Sequence, residues 1–295
     1  MKPGAANASN PQLTDMKKRN PYLEKIESSL AFIRKNAPHA PSTAIILGSG
    51  LGDFAEQLNN TTSIPVSEIP NYPLPTVAGH NGKLVFSKIK STHLLSFQGR
   101  IHYYESNDLG KVLYPIHIAY GLGVKKIIIT NAAGAVNRLF RPGDLMLITE
   151  QINLTFKSIA PFLLDGSTKI STAVFNERLY DPGLGVLLGK IAAEQGIPVQ
   201  HGVYCGVLGP SYESAAEIEM IRRMGGDAVG MSTVNEVSLA SALGMRTAGI
   251  SCITNMATGI LPQKLSHREV TEVANRVKDV FAGLLTGVIR SINTV

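Results

Sequence analysis

Tryptophan is absent from the 295-residue chain, and cysteine occurs only twice. Two thiols cannot form the disulfide framework that staples a small secreted domain. Cys205 and Cys252 both lie in apolar, strand-like runs, so buried, reduced thiols are expected. No grouping of cysteine and histidine has the spacing of a zinc site. No apolar run reaches the roughly 20 residues that a bilayer span requires. Met1 to Asn10 are small and polar, without the apolar segment of a secretory signal, and the expected location is the cytoplasm. Charge is sparse as well. Charged residues make up 17% of the chain, the net charge is +6, and the tightest basic groups are Lys17-Lys18-Arg19 and Arg222-Arg223. Aromatics stand at 6% and form no stripe with basic residues, which argues against a nucleic-acid platform. A mild positive charge of this kind suits small anionic partners.

What is present is an ordinary globular composition, 44% hydrophobic. A chain of this length buries roughly three quarters of its unfolded surface and needs no staples. Residues up to Asn20 are expected to form a flexible tail, followed by one domain over residues 21–295. Leu23, Ile26, Leu30 and Ile33 recur at helical spacing between Tyr22 and Lys35. Short apolar runs predict strands at Thr43–Leu47, Leu84–Ile89, His93–Phe97, Lys126–Thr130, Leu145–Thr149, Gly202–Leu208, Ala228–Met231 and Thr247–Ile253. Helical patterns fall between several of them, at Leu109–Leu122, Pro182–Gln195, Ala215–Met224 and Val234–Leu243. Gly196 and Gly225 stand where helix C-caps are expected. Ser266-His267-Arg268-Glu269 has a capping-box pattern, and Val270, Val273, Val277, Phe281, Leu284, Val288 and Ile292 then mark a long amphipathic helix. Alternating strands and helices predict a single α/β domain with a mixed sheet.

The chemistry-bearing residues sit where strand-like runs end. Gly48-Ser49-Gly50-Leu51-Gly52 follows one such run. Its glycines permit a close backbone approach, and its N–H groups could cradle an anion. A dinucleotide fingerprint would need glycine where Asp53 stands; Glu68 has a fitting offset, but Ile64-Pro65-Val66 makes a poor central strand. A Walker loop would need Gly-Lys-Ser/Thr, which is missing. Anion nest and simple tight turn both remain open. Arg100 and His102 are two apart and share a side in an extended chain. Guanidinium and imidazole together suit a phosphate dianion, or else are a surface arginine and a satisfied core histidine. His80, in a glycine-flanked turn, could reach a neighbouring site or face solvent. Thr130-Asn131-Ala132-Ala133-Gly134-Ala135 leaves room for a ligand at a strand's C-terminal end, or simply enters a helix. Glu213, after Gly209-Pro210-Ser211-Tyr212, and Asn255, after Thr254, place one carboxylate and one carboxamide at the ends of apolar runs. Such a pair can read the polar edge of a purine. A base reader beside an anion site points to phosphate attacking a nucleoside.

These motifs resemble the trimeric, lower-molecular-mass purine nucleoside phosphorylases that prefer 6-oxopurine nucleosides. The resemblance covers about Thr43 to His267 and rests on Gly48-Ser49-Gly50-Leu51-Gly52, Gly99-Arg100-Ile101-His102-Tyr103-Tyr104-Glu105, Asn131-Ala132-Ala133-Gly134, Gly209-Pro210-Ser211-Tyr212-Glu213, Val229-Gly230-Met231-Ser232-Thr233-Val234 and Ile253-Thr254-Asn255. It implies a mixed-sheet α/β domain with a distorted barrel, assembled as a homotrimer, with no metal or organic cofactor and inorganic phosphate as co-substrate. By the same resemblance, phosphate is held by Ser49, His80, Arg100, His102, Asn131, the backbone of Ala132, and Ser232. Ribose lies against Tyr104 and Met231, with His267 near its 5′-hydroxyl. The purine meets Tyr212, Glu213, Met231 and Asn255, and Asn255, Glu213 and His102 carry the catalysis. The implied activity is reversible phosphorolysis of inosine, guanosine and their deoxy forms.

Two departures from the family pattern stand out. Asn235 replaces a usual proline, an expected change of local rigidity and not of chemistry. Phe156 to Asn176 lacks the family's usual loop sequence, which approaches the neighbouring subunit's site. A lid is expected there, with Phe156, Phe162 and Phe175 as candidates for the crossing aromatic and Phe156 favoured. The rival readings are a phosphorylase for methylthioadenosine or xanthosine, a dinucleotide-dependent oxidoreductase, and a non-catalytic nucleoside-binding protein. Only phosphorolysis uses both the Glu213/Asn255 pair and the Arg100/His102 pair.

Overall fold

Asn20 opens the first helix by accepting a hydrogen bond from Tyr22 N at 3.0 Å, and Pro21 fits its first turn. The computed structural model describes residues 20–76, 82–163, 178–261 and 267–295; of residues 53 and 267–271 only the backbone is described. The expected flexible tail up to Asn20 therefore lies outside the described residues, Asn20 itself excepted, and so do the side chains of the capping box at Ser266–Glu269. The elements run α1 (Pro21–Asn36), β1 (Thr43–Leu47), α2 (Asp53–Glu56), β2 (Thr62–Pro65), β3 (Lys83–Ile89), β4 (Thr92–Gln98), α3 (Tyr103–Ser106), α4 (Leu109–Gly121), β5 (Lys126–Ala135), β6 (Leu145–Asn153), α5 (Pro182–Glu194), β7 (Val199–Gly206), α6 (Ala215–Arg223), β8 (Ala228–Gly230), α7 (Val234–Ala242), β9 (Arg246–Met256) and α8 (His267–Ser291).

The strands form one sheet in the order β2-β3-β4-β1-β5-β8-β7-β6-β9, and β9 pairs back onto β5. Strands β5, β8, β7, β6 and β9 therefore close into a small barrel, from which β1, β4, β3 and β2 extend as an open sheet. The expected mixed α/β sheet with a distorted barrel is what the chain forms. Strands β1, β4, β5 and β9 run one way, and β6, β7 and β8 the other. Pro65 lies in β2, which pairs only with β3 at the sheet's edge, where a missing N–H is tolerated.

Two cores sandwich the sheet. In β1, Ala44 and Ile46 belong to the core shared with α1, α4 and α7, while Ile45 and Leu47 belong to the core shared with α5 and α8. An unbroken apolar run is what a strand covered on both faces requires. Of the stripe predicted for the last helix, Phe281, Leu284, Val288 and Ile292 are buried, each worth roughly 1.5–3 kcal/mol over exposure, Val273 and Val277 are partly buried, and the side chain of Val270 lies outside the described residues. Gly196 and Gly225 follow α5 and α6 with φ of 67° and 90°, as their positions predicted. Cys205 and Cys252 are free and fully buried, and burial pushes both thiols up to about 12. Among the described residues, no helix is long and apolar enough to cross a membrane.

The segment after β6 departs from expectation. Phe162 is engaged within its own chain: its ring packs edge-on against Tyr22 at 5.3 Å, partly buried against the first core. His117, whose basicity burial lowers, donates from Nε2 to Phe162 O at 2.8 Å and pins the segment to α4. Phe156 instead stands 87% exposed, with φ of 52°. Phe175 and the rest of the expected lid, residues 164–176, lie outside the described residues.

Candidate active site

A single pocket of about 380 Å³ gathers Ser49, Arg100, His102, Tyr104, Asn131, Ala132, Tyr212, Glu213, Met231, Ser232 and Asn255. His80 lies outside the described residues. His267 begins α8, but its side chain is likewise outside the description. The pocket residues come from strands of both directions, so they do not line one sheet edge. The ends of β1 and β4 supply Ser49, Arg100 and His102, while Ser232 follows β8 of the opposed set and Glu213 lies in the connection from β7 to α6. Asn131 and Ala132 are not in a loop or a helix entry. They lie inside β5, which continues through Ala135 because β9 and β8 pair with it there.

Part of the pocket lining is a polar network built on Arg100 and Thr233. Gly48 N donates to Thr130 Oγ1 at 3.0 Å, and Thr130 Oγ1 donates to Ile46 O at 2.9 Å. A Cβ on Gly48 would fall 2.7 Å from Asn131 Cα, so only glycine lets β1 end this close to β5. Arg100 is 3% exposed, which overturns the reading of a surface arginine. Its Nη1 reaches Glu236 Oε2 at 3.1 Å and Thr233 Oγ1 at 3.2 Å, and its Nη2 donates to Thr130 O. Thr233 has φ of 75°, a costly conformation for a β-branched residue, of order 1–3 kcal/mol. It is held there by its N–H on Glu236 Oε2 at 2.8 Å and by Asn131 Nδ2 on its hydroxyl at 2.9 Å. With two donors on Thr233 Oγ1, its own proton turns to Ser232 Oγ, 3.1 Å away, and Ser232 keeps its proton for a further acceptor.

His102 is oriented by Glu105. The Glu105 carboxylate accepts from His102 N at 2.6 Å, His102 Nδ1 at 3.1 Å, Thr76 N at 2.8 Å and Thr76 Oγ1 at 2.6 Å. Burial would raise this carboxyl, but those hydrogen bonds outweigh it and bring it to about 2. An ionised Glu105 only accepts, so the proton of His102 sits on Nδ1. The imidazole stacks on the Tyr104 ring at 5.0 Å with 12° between planes.

Asn255 and Glu213 also line the pocket. Strands β5 and β9 pair Ala133 with Ile253 but Gly134 with Asn255, so Thr254 is an extra residue. This bulge re-aims the chain at the point where Asn255 meets the pocket. Thr254 Oγ1 donates to Asn255 Oδ1 at 2.9 Å, and Asn255 Nδ2 donates to Met256 O at 3.2 Å. Glu213 is half-buried, and burial raises its carboxyl above the usual range, with Glu217 adding to the effect. Tyr212 is 46% exposed at the rim. Acceptor-rich Glu213 and donor–acceptor Asn255 can together bind a planar heterocycle with donors and acceptors on one edge.

Sequence reasoning assigned no part to Glu236, Thr130, or Glu105. The Thr233-x-x-Glu236 spacing is a capping-box signal that could have found the first. The dinucleotide reading fails on geometry: α2 is four residues long, and Glu68 lies in a short 3₁₀ turn beyond the edge strand β2. Among the described residues, no three or more metal-ligating side chains are grouped.

Comparison with known proteins agrees with this geometry. A family model described as the phosphorylase superfamily matches residues 42–290. Purine nucleoside phosphorylase 1 of Bacillus subtilis (strain 168) is 45% identical over 268 residues, covering 90% of this chain and 98% of that protein. Purine nucleoside phosphorylase of Rattus norvegicus is 36% identical over 255 residues, covering 84% of this chain and 88% of that protein. The crystal structure of Schistosoma mansoni purine nucleoside phosphorylase in complex with inosine superposes with a TM-score of 0.82 at 31% identity, covering 91% of this chain and 96% of that one.

Proposed function

Because the chain belongs to the phosphorylase superfamily, among the purine nucleoside phosphorylases, we propose that its pocket aligns phosphate, ribose and a 6-oxopurine in that order. The reaction is reversible phosphorolysis of purine nucleosides. The bond from C1′ to the purine nitrogen breaks, the bonding pair leaves with the base, and a phosphate oxygen bonds C1′ to give ribose 1-phosphate. The observation that carries the reading is the convergence of Ser49, Arg100, His102, Ser232, Glu213 and Asn255 on one pocket.

Cleavage builds positive charge on the sugar and negative charge on the base. Phosphate, held by Ser49, His80, Arg100, His102, Ser232, Asn131 and the Ala132 N–H, stabilises the first charge and then captures C1′. Ribose packs on Tyr104 and Met231, with His267 at its 5′ end. The amide of Asn255 donates to N7 or O6 as the leaving base gains charge, and ionised Glu213 accepts from N1–H and the 2-amino group. Those bonds strengthen toward the transition state, so they accelerate the step as well as binding substrate. Phosphate is the co-substrate, and neither a metal nor an organic cofactor enters the scheme. The cytoplasm, where nucleosides and phosphate are both present, is the proposed site of action. The deciding test is inosine cleavage with and without phosphate. Ribose 1-phosphate should form only when phosphate is present; equal cleavage in phosphate-free buffer, releasing ribose, means a hydrolase.

We further propose a homotrimer in which Phe156, at 87% exposure, is covered by a second copy and closes that copy's nucleoside site. Light scattering at assay concentration should give three times the chain mass, and Phe156→Ala should raise the inosine KM. A fully active monomer, or an unchanged KM in Phe156→Ala, refutes the arrangement.

A further inference from the structure

Asn235 is 6% exposed in the first turn of α7, two residues after Thr233. Its carboxamide takes part in a closed set of hydrogen bonds with the end of β6. Asn153 Nδ2 donates to Asn235 Oδ1 at 3.2 Å, and Asn235 Nδ2 donates to Thr155 Oγ1 at 3.3 Å. Thr155 Oγ1 donates to Asn153 Oδ1 at 2.6 Å, much shorter than its 3.4 Å approach to Asn235 Oδ1, so the single hydroxyl proton goes to Asn153. Each of the three side chains thus donates once and accepts once around a ring, an arrangement in which the bonds polarise one another. The ring is more than the change in rigidity expected for Asn235.

Its place in the fold says what it does. Strand β6 is already fastened to α7 by Gln151 Nε2, which donates to Val234 O at 3.0 Å and Ser238 Oγ at 3.1 Å. What the ring adds is Thr155, 4% exposed, immediately before the outward-facing Phe156. The next residue, Lys157, sets its ammonium 4.7 Å from the centroid of the Tyr103 ring. Thr155 and Asn235 also share a small cavity of about 10 Å³ with His102, Met231 and Ser232. Phosphate-end geometry is held separately, by the bonds among Arg100, Thr233 and Glu236.

We propose that the Asn153–Thr155–Asn235 ring is a positioning device for Phe156, so that Asn235 governs nucleoside binding without touching substrate. The proposal rests on the nucleoside reading of the pocket given above. Breaking the ring should therefore act on nucleoside KM and spare both phosphate KM and the saturated rate.

Steady-state kinetics with inosine and phosphate test this in Asn235→Ala, Thr155→Val, their double variant and Thr155→Ser. Each single loss should raise the inosine KM about 3- to 10-fold, the equivalent of about one neutral hydrogen bond. Phosphate KM and kcat should stay within about twofold. The double variant should be no worse than either single one, because a ring is broken only once. Thr155→Ser, which keeps the hydroxyl, should restore the inosine KM. In a Phe156→Ala background, Asn235→Ala should add nothing. Should Asn235→Ala fail to fold, the near-isosteric Thr155→Val decides alone. An inosine KM that stays at the wild-type value while Tm falls overturns the proposal, as do equal losses in kcat and both KM values. A wild-type chain that does not turn over inosine with phosphate would instead sink the functional reading.

Discussion

Glu213→Ala should lower kcat/KM for guanosine by about 100- to 1,000-fold. In the proposed complex the carboxylate faces two donors of a guanine base, and each charge-assisted bond is worth about 1.5–3 kcal/mol when its partner is left unsatisfied in a buried site. Inosine has no 2-amino group and should lose less. The pH dependence has a definite sign. Burial raises the Glu213 carboxyl above its ordinary 4.5. Only the ionised form accepts from both N1–H and the amino group at once, so guanosine kcat/KM should fall with falling pH along a limb that begins above the usual carboxylate range. Holding the phosphate dianion constant removes the co-substrate's own titration, and Glu213→Gln should flatten the limb. The partner variant, Asn255→Asp, should shift preference toward 6-aminopurines, since a carboxylate accepts from an amino group and is repelled by O6. Guanosine turnover unaffected by Glu213→Ala would remove Glu213 as the base reader.

Arg100→Ala should cost the protein stability as well as phosphate binding. Arg100 and Glu236 are 3% and 1% exposed and 3.1 Å apart. Deleting the guanidinium leaves a buried carboxylate without its counter-charge, a loss of about 3–5 kcal/mol in comparable buried pairs. Glu236 also accepts from the N–H of Thr233, whose φ of 75° needs that support. Denaturant unfolding should therefore show a large fall for Arg100→Ala, with partial recovery when Glu236→Gln is added, because the uncompensated charge is gone. Phosphate KM should stay high in both, which separates the two roles. Unchanged stability in Arg100→Ala would mean that Glu236 is satisfied by other groups, and an unchanged phosphate KM would remove Arg100 from the anion site.

Much of this protein was legible along the chain. Helical spacing in Tyr22–Lys35 and Val270–Ile292, and the apolar run Thr43–Leu47, announce their elements because burial against a sheet imposes a period that local sequence must carry. The pocket residues were legible as chemical types at run ends: Ser49, Arg100 and His102 for an anion, Glu213 and Asn255 for a base. Tertiary structure alone decided the rest. Residues 131–135 carry no strand pattern; they are strand because β9 pairs along all of them and β8 joins at Gly134 and Ala135. The bulge at Thr254 that aims Asn255 exists only in the register between β5 and β9. Arg100 and Glu236 are 136 residues apart, and no local pattern marks one as the other's counter-ion. Phe162 and Phe156 look alike in sequence, yet His117 and Tyr22 hold one against the core while the other faces outward. Periodicity records what a residue does with its neighbours in the chain. Pairing, register and the burial of charge are set by neighbours in space, which only the closed barrel brings together.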